Sequence, residues 1–467
     1  MLRIEVRQLG KFSERTVSLT YLALQVTTRQ ILRITPKMRN SSMTPATIIA
    51  RKRDQAEHTA DEIRFMVDGF TAGTIPDYQM SAWAMAILCR GMTVEEIALL
   101  TEAMLASGSR LPRATERPRI DKHSTGGLGD KVSLVLAPLL ACFDCDVPML
   151  SGRGLGITGG TLDKLEAYPG YDCNLSAARI AAQLQRLGCV ITGTTQEIAP
   201  ADRRLYGLRD VTGTVPSIAL ITSSIMSKKL AATLDALILD VKFGSAAFMK
   251  DVVGAQELAQ SLCATGERMG VATRALLTDM NQPLGRMVGN ACEANEAVAV
   301  LQGAGAADVR QLTLRLAGEL LVASGHFDSL SAAQHALNAC LDSGQARERF
   351  EAMVRAQGGN FTERLPVATA YELLSPAAGW LERLDGQLVG QTVIGLGGGR
   401  KQLGDPIDHS VGLEMLVRVG DRVEPGQPLL RIFAHSHATA DVAQKMLLEA
   451  FQFNPQPVPA LPLIIDV

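Results

Sequence analysis

The sequence predicts a helical domain packed on a larger α/β domain, with an α+β domain at the C-terminus. Three observations predict it. From Thr44 to Ser107, apolar residues recur at helical spacing behind N-cap signals. After Pro112, short apolar runs alternate with amphipathic helical ones, the pattern of a largely parallel sheet. From about Pro366 the text turns to short strands and frequent turn residues. A chain of 467 residues has room for two or three domains. The divisions read as 43–110, 111–365 and 366–467, with residues 1–42 set apart.

Residues 1–42 are basic and acid-poor. Arg3, Arg7, Lys11, Arg15, Arg29, Arg33, Lys37 and Arg39 stand against Glu5 and Glu14. A transit peptide has that balance. A poorly defined extension ahead of a domain that opens at Met43 accounts for it more simply.

In the helical domain, Thr44 before Pro45 reads as an N-cap followed by proline in the first turn. Thr59 and Glu62 form a capping box, ahead of Ile63, Met66, Val67 and Phe70 at helical spacing. Gly73 and Pro76 punctuate, and Met80, Trp83, Ala84, Ile87 and Leu88 resume the period. Thr93 and Glu96 make a second box before Ile97, Leu100 and Met104.

In the α/β domain, Val132–Ala137 reads as an apolar helix or strand, and Val147–Leu150 as a short buried strand. Ala177–Leu187 is an amphipathic helix and Cys189–Thr192 a strand; Ile218–Ile221 and then Leu237–Val241 repeat that alternation. Ala255–Met269 and Ala307–Ser324 are further helices. Near the C-terminus, Gly420–Leu430 resembles the hairpin of biotinyl- and lipoyl-carrier barrels. No lysine stands on the tip a carrier would modify, so the segment reads as structural.

The formal net charge of −2 offers no electrostatic reason for nucleic acid or an acidic membrane as partner. No run of ~18 apolar residues suggests a spanning helix. Eight scattered cysteines suit reduced thiols and a cytoplasmic location rather than a disulfide scaffold. Cys142 and Cys145 form a lone C-x-x-C without further ligands at metal-site spacing, which reads as buried structural thiols.

Three clusters carry the chemistry. The first is Asp121-Lys-His-Ser-Thr-Gly-Gly-Leu-Gly-Asp-Lys131, with a cation, an imidazole and two hydroxyls before a glycine loop. Such a loop lets backbone N–H groups approach an anion, so it is a plausible phosphate cradle. Its lysine precedes the glycines, unlike a Walker loop. The second is Ser151-Gly-Arg-Gly-Leu-Gly-Ile-Thr-Gly-Gly-Thr-Leu-Asp-Lys-Leu-Glu166. Gly154, Gly156 and Gly159 there spell a dinucleotide fingerprint, but the flanking hydroxyls suit a free phosphate and no acidic strand end follows about 20 residues on. The third is Tyr206-Gly-Leu-Arg-Asp210 with Ser223-Ser-Ile-Met-Ser-Lys-Lys229. Arg209 suits a planar acceptor, and Ser224 and Lys228 share a face if helical.

Together these clusters resemble the thymidine and pyrimidine-nucleoside phosphorylases, from about Met43 to the C-terminus. Asp240-Val-Lys-Phe-Gly-Ser-Ala-Ala-Phe-Met, Leu277-Thr-Asp-Met-Asn-Gln and Gly404-Asp-Pro-Ile-Asp-His add to the likeness. The resemblance implies phosphate-binding roles for Lys122, Ser124, Ser133, Ser151 and Thr161. It implies that Arg209, Ser224 and Lys228 hold the pyrimidine, with Tyr206 beside it and His123 near the base O2. His123, Arg209 and Lys228 are then the catalytic candidates. Met149 stands where some uridine-accepting members carry lysine, which implies a thymidine-preferring enzyme. The part near 200–230 would join the helical domain, with the site in the cleft between the first two domains.

The same resemblance implies a pentosyltransferase that takes thymidine and phosphate, works without a cofactor, and forms a homodimer. Some members hold a monovalent cation. Here Leu284 and Met287 offer carbonyls and Glu296 a carboxylate, while Lys131 offers the positive charge itself, so no metal is expected. One departure is Ile157, where the family reads histidine. The rival readings are a pyrimidine-nucleoside phosphorylase that takes uridine too, a phosphoribosyltransferase of the anthranilate type, and a nucleoside-binding relative without catalysis.

Overall fold

The computed structural model describes residues 43–467, apart from 155, 156, 158 and 403. The extension 1–42 and Gly156 of the glycine fingerprint lie outside the described residues.

Four helices open the described residues, each started by a signal visible in sequence. Thr44 caps α1 (Pro45–Arg53) by accepting from the Thr47 amide, with Pro45 in the first turn. Reciprocal capping boxes start α2 (Ala60–Thr71) at Thr59/Glu62 and α4 (Val94–Ala106) at Thr93/Glu96, on either side of α3 (Asp77–Arg90). Their apolar faces, from Ile63 and Phe70 to Trp83, Ile87 and Leu100, form one core.

The α/β domain begins with β1 (Ile120–Ser124), α5 (Val132–Leu140) and β2 (Val147–Ser151). Every residue of α5 is buried, which is why the apolar run 132–137 shows no clean period: it has no solvent face. There follow α6 (Thr161–Glu166), α7 (Ala177–Leu187) and β3 (Cys189–Gly193). The chain then leaves the sheet through α8 (Pro200–Thr212) and α9 (Ile218–Ala231). Ala201, Leu205, Ala219 and Leu220 join the core of the helical domain, and α9 lies along α4.

The chain returns as β4 (Ala236–Phe243), α10 (Val252–Arg268) and β5 (Ala272–Asp279). β1, β4 and β5 are parallel neighbours. β2 and β3 form a parallel pair, tied to the same layer by a bridge between Arg119 and Asp146. After β6 (Met287–Val288), four helices follow, α11 (Asn290–Leu301), α12 (Ala307–Ala323), α13 (Leu330–Asp342) and α14 (Gln345–Ala356), of which α12 packs on β4 and β5.

The remainder is α+β. β7 (Thr369–Leu374), β8 (Gly379–Leu384), α15 (Gly386–Gly395), β9 (Gly412–Met415), β10 (Arg422–Val423), β11 (Pro428–Ala434), α16 (His437–Leu448) and β12 (Phe451–Asn454) build two small antiparallel sheets. The hairpin expected over 420–430 does not form. β10 pairs with β8, whereas β11 pairs with β7 and β9, so the turn at Gly426 crosses from one sheet to the other. The last strand, β13 (Ile464–Asp466), returns to the α/β sheet antiparallel to β5.

No described helix is long and apolar enough to cross a membrane. All eight cysteines are free. Burial pushes the Cys145 thiol up to about 12, so it stays an inert SH at neutral pH.

Candidate active site

The carboxyl ends of β1 and β2 point at the α8–α9 pair, and a cavity of about 500 Å³ opens between them. In parallel sheets this edge is where ligands bind. Lys122, His123, Ser124, Ser133, Met149, Ser151 and Thr161 line it from the α/β side, and Tyr206, Arg209, Ser224 and Lys228 from the helical side. All eleven residues singled out from the sequence thus share one cleft, although Lys122 and Lys228 lie more than a hundred positions apart.

The α/β wall rests on buried ion pairs. Lys122 Nζ lies 3.3 Å from Asp240 Oδ2 and 3.5 Å from Asp130 Oδ1. Burial alone would push this ammonium down, but the two carboxylates outweigh it and hold its pKa above the ordinary value. Asp130 is held far below the usual carboxylate range; its burial is overcome by Lys122, Lys242 and Lys164. Lys229 Nζ donates to Asp121 Oδ2 at 2.6 Å. Ser124 Oγ accepts from the Gly126 amide at 3.1 Å, which folds the glycine loop back over the end of β1.

His123 is half-buried in the wall, and its pKa lies well below the ordinary imidazole value. Burial is the main cause, followed by Lys229, Lys228 and Lys122. The ring is therefore neutral near pH 7 and offers an N–H, not a cation.

On the helical side, Lys228 Nζ donates to Ser224 Oγ at 3.0 Å and forms an ion pair with Asp202. Arg209 is 1% exposed. Its Nε, Nη1 and Nη2 donate to the carbonyls of Thr214 (3.4 Å), Leu220 (3.0 Å) and Val215 (2.8 Å). The guanidinium thus ties the α8–α9 turn together and retains two N–H groups for a ligand. Tyr206 is exposed, its ring centroid 6.0 Å from the Arg209 guanidinium carbon.

Three placements bear on the departures noted in the sequence. Lys131 Nζ donates to the carbonyls of Leu284 and Met287, each at 2.9 Å, and to Glu296. Its ammonium stands among the three groups that the resemblance associates with a cation. Ile157 lies away from the cleft, in a small cavity with Val393, Ile394 and Ile407, where an apolar side chain fits. The Gly154 amide donates to Asp163 Oδ2 at 2.6 Å, so a group that a dinucleotide pyrophosphate would need is already engaged.

Sequence reasoning gave no site role to Asp202, Thr194, Phe248 or Lys229, which also line the cavity. Phe248 is 40% exposed, an apolar ring at a polar cleft. Its Gly-Ser-Ala-Ala-Phe-Met context was a visible signal. Asp202 had none, because its partner Lys228 lies 26 residues ahead on another helix. Among the described residues, no group of three His, Cys, Asp or Glu side chains is arranged to hold a metal.

Comparison with known proteins matches three parts of the chain. Residues 46–108 match the helical bundle domain of a glycosyl transferase family, and residues 116–347 match the a/b domain of that family. Residues 380–454 match the pyrimidine nucleoside phosphorylase C-terminal domain. The chain is 46% identical over 426 residues to a thymidine phosphorylase of Mycobacterium tuberculosis, covering 90% of this chain and 97% of the relative. It is 42% identical over 426 residues to a pyrimidine-nucleoside phosphorylase of Geobacillus stearothermophilus, covering 90% and 98%. A crystal structure of anthranilate phosphoribosyltransferase from Thermus thermophilus superposes with a TM-score of 0.55 at 20% identity, covering 66% of this chain and 99% of that one. The last likeness concerns the fold alone.

Proposed function

The chain belongs to the thymidine and pyrimidine-nucleoside phosphorylase family of pentosyltransferases, and from that premise we propose that it is a thymidine phosphorylase, converting thymidine and phosphate reversibly into thymine and 2-deoxy-α-D-ribose 1-phosphate. It is a pyrimidine-nucleoside phosphorylase; the preference for thymidine is the finer part of the proposal. The observation that carries the reaction is the single cleft with an anion-suited wall facing a base-suited one.

In this reading Lys122, Ser124, Ser133, Ser151 and Thr161 hold phosphate against the α/β wall. Arg209, Ser224 and Lys228 hold the pyrimidine, with Tyr206 beside it. A hydrogenphosphate oxygen attacks C1′, the C1′–N1 bond breaks, its electron pair leaves on the base, and the proton carried in by the hydrogenphosphate ends on the base. Lys228 and Arg209 stabilise the resulting negative charge, and the neutral His123 donates a hydrogen bond at O2. The phosphate dianion offsets positive charge developing on the sugar. Holding both reactants in one cleft supplies the orientation that a bimolecular reaction lacks, and closure of the two domains completes it. The reaction balances with phosphate and nucleoside alone, without a cofactor. A homodimer joined through the helical domain, working in the cytoplasm, completes the proposal.

Met149 supports the deoxyribose preference. It is 1% exposed in the wall, a thioether with little to offer a 2′-hydroxyl. A hydroxyl desolvated there without a partner costs on the order of 1–3 kcal/mol, roughly a ten- to hundredfold preference. The test is release of free base from thymidine, deoxyuridine and uridine with and without millimolar phosphate. Thymine released only with phosphate, and deoxyuridine turned over more efficiently than uridine, are expected. Met149→Lys narrows the second gap. No phosphate-dependent thymine release from folded protein rejects the reaction, and equal specificity constants for deoxyuridine and uridine reject the sugar preference.

A further inference from the structure

Described residues of the glycine loop that follows β2 are held in part from outside their own domain. Gly154, Gly159 and Gly160 line the cleft. A side chain on Gly160 would run into the backbone of Arg153 and Gly154, so the loop crosses itself closely there. A stretch so rich in glycine has many accessible backbone states and little of its own to select one.

Lys164 of the same domain donates to the Gly159 carbonyl at 3.3 Å, and the C-terminal domain supplies a further hold. Arg400 Nη1 donates to Asp163 Oδ1 at 2.8 Å and to the Gly154 carbonyl at 3.4 Å. The other oxygen of Asp163 accepts the Gly154 amide at 2.6 Å. Both backbone groups of Gly154 are thereby fixed by one guanidinium–carboxylate pair, of which Asp163 is 2% exposed. A second contact lies three residues on. Ile157 sits on Gly390 of α15, where a Cβ would come within 2.5 Å of the Ile157 Cβ and 2.9 Å of its carbonyl oxygen. The segment that carries Arg400 is itself anchored, because Asn290 Nδ2 donates to the Gly398 carbonyl at 2.9 Å.

We propose that the C-terminal domain fixes Gly154 and Ile157 in the phosphate-facing loop, with Arg400 as its positioning residue. This rests on the reading of that wall as the phosphate site. Arg400 does not line the cleft, so it acts through Asp163 and Gly154 rather than on a substrate. Amides that cradle an anion are useful only while their directions are fixed, and a misplacement of about 1 Å costs on the order of a hundredfold.

The experiment uses the full chain carrying Arg400→Met, Arg400→Lys or, at the second contact, Gly390→Val. In Arg400→Met and Gly390→Val the KM for phosphate should rise by about ten- to a hundredfold, with the nucleoside KM changed less than about twofold. Arg400→Lys should recover part of the loss. Amide hydrogen exchange in a peptide spanning 152–160, read without substrate, should quicken in Arg400→Met while peptides of β1 and β4 keep their protection. Unchanged exchange in that peptide overturns the proposal. So does an equal rise in both KM values with protection lost throughout, because Arg400 would then only hold the fold together. If the wild-type chain shows no phosphorolysis, the functional reading fails, yet the exchange measurement still decides whether Arg400 shapes the loop.

Discussion

Lys228 and Arg209 face the same cleft but are built into it differently. The Lys228 side chain is 28% exposed, against 3% for Lys229 and none for Lys122, so of the three cleft lysines it is the most open to solvent. Two of its three protons go to Asp202 and Ser224, which leaves one for a ligand. Lys228→Ala should lower turnover by about 10²–10³-fold, with a smaller loss of thermal stability as the buried Asp202 carboxylate loses its partner. Arg209→Ala should lower turnover similarly and also destabilise the fold by roughly 3 kcal/mol, since the carbonyls of Thr214, Val215 and Leu220 lose their donor. Steady-state rates and thermal melts separate the two effects, and full activity in both variants would mean the base lies elsewhere. His123→Ala should slow the reaction more than His123→Asn, which keeps an N–H. The pairing of Ser224 with Lys228 was legible as an i, i+4 spacing on one helix. The structural task of Arg209 was not, because backbone carbonyls five to eleven residues on leave no trace in side-chain pattern.

At the scale of elements, the helical domain shows how a local signal acquires a tertiary use. The Glu96 carboxylate closes the capping box of α4, and the same group accepts from Lys52 Nζ at 2.6 Å and from the His58 amide at 2.8 Å. His58 Nε2 in turn accepts from Trp83 Nε1 at 2.9 Å, a bond that only the neutral ring can make. Burial, with help from Lys52, lowers the His58 pKa to about 4. Between that value and the ordinary 6.5, the unfolded ring takes up a proton that the folded ring refuses. The stability from His58 is therefore complete above pH 6.5 and falls as pH drops towards 4, by on the order of 2 kcal/mol after allowance for screening. Denaturation midpoints at pH 4.5 and 7 measure it. His58→Gln should flatten the slope, and an identical slope in wild type and variant would assign the acid sensitivity to other groups. The capping boxes were readable because both members lie three residues apart. The apolar run 132–137 was not assignable as helix or strand, since all nine residues of α5 are buried. The turn at Gly426 looked like a hairpin because turn chemistry is local, whereas the choice of sheet for β10 and β11 is not.

At the scale of the whole molecule, the residues proposed to hold phosphate and those proposed to hold the base come from separate domains that share a cleft, and a residue of the C-terminal domain, Arg400, bonds to Gly154 at its edge. Because residues 1–42 lie outside the resemblance and lack a strong apolar period, a chain starting at Met43 should fold and turn over like the full one. Loss of soluble expression or activity on truncation would show that the segment is structural. The sequence alone determined the fold class, the helix starts and the family, because caps, periods and glycine-rich motifs are contiguous and their physics acts over a few residues. It also supplied the eleven cleft residues, through motifs rather than distances. Only the tertiary structure decided what these groups face: Asp202 against Lys228, Asp130 and Asp240 around Lys122, Lys131 among the Leu284 and Met287 carbonyls, and Arg400 on the Gly154 loop. The reason is physical. Each of these pairings joins residues at least 26 positions apart or on different elements, except Asp130 with Lys122. Buried charges gain their partners only when the packing of whole domains excludes water and brings them within hydrogen-bond range.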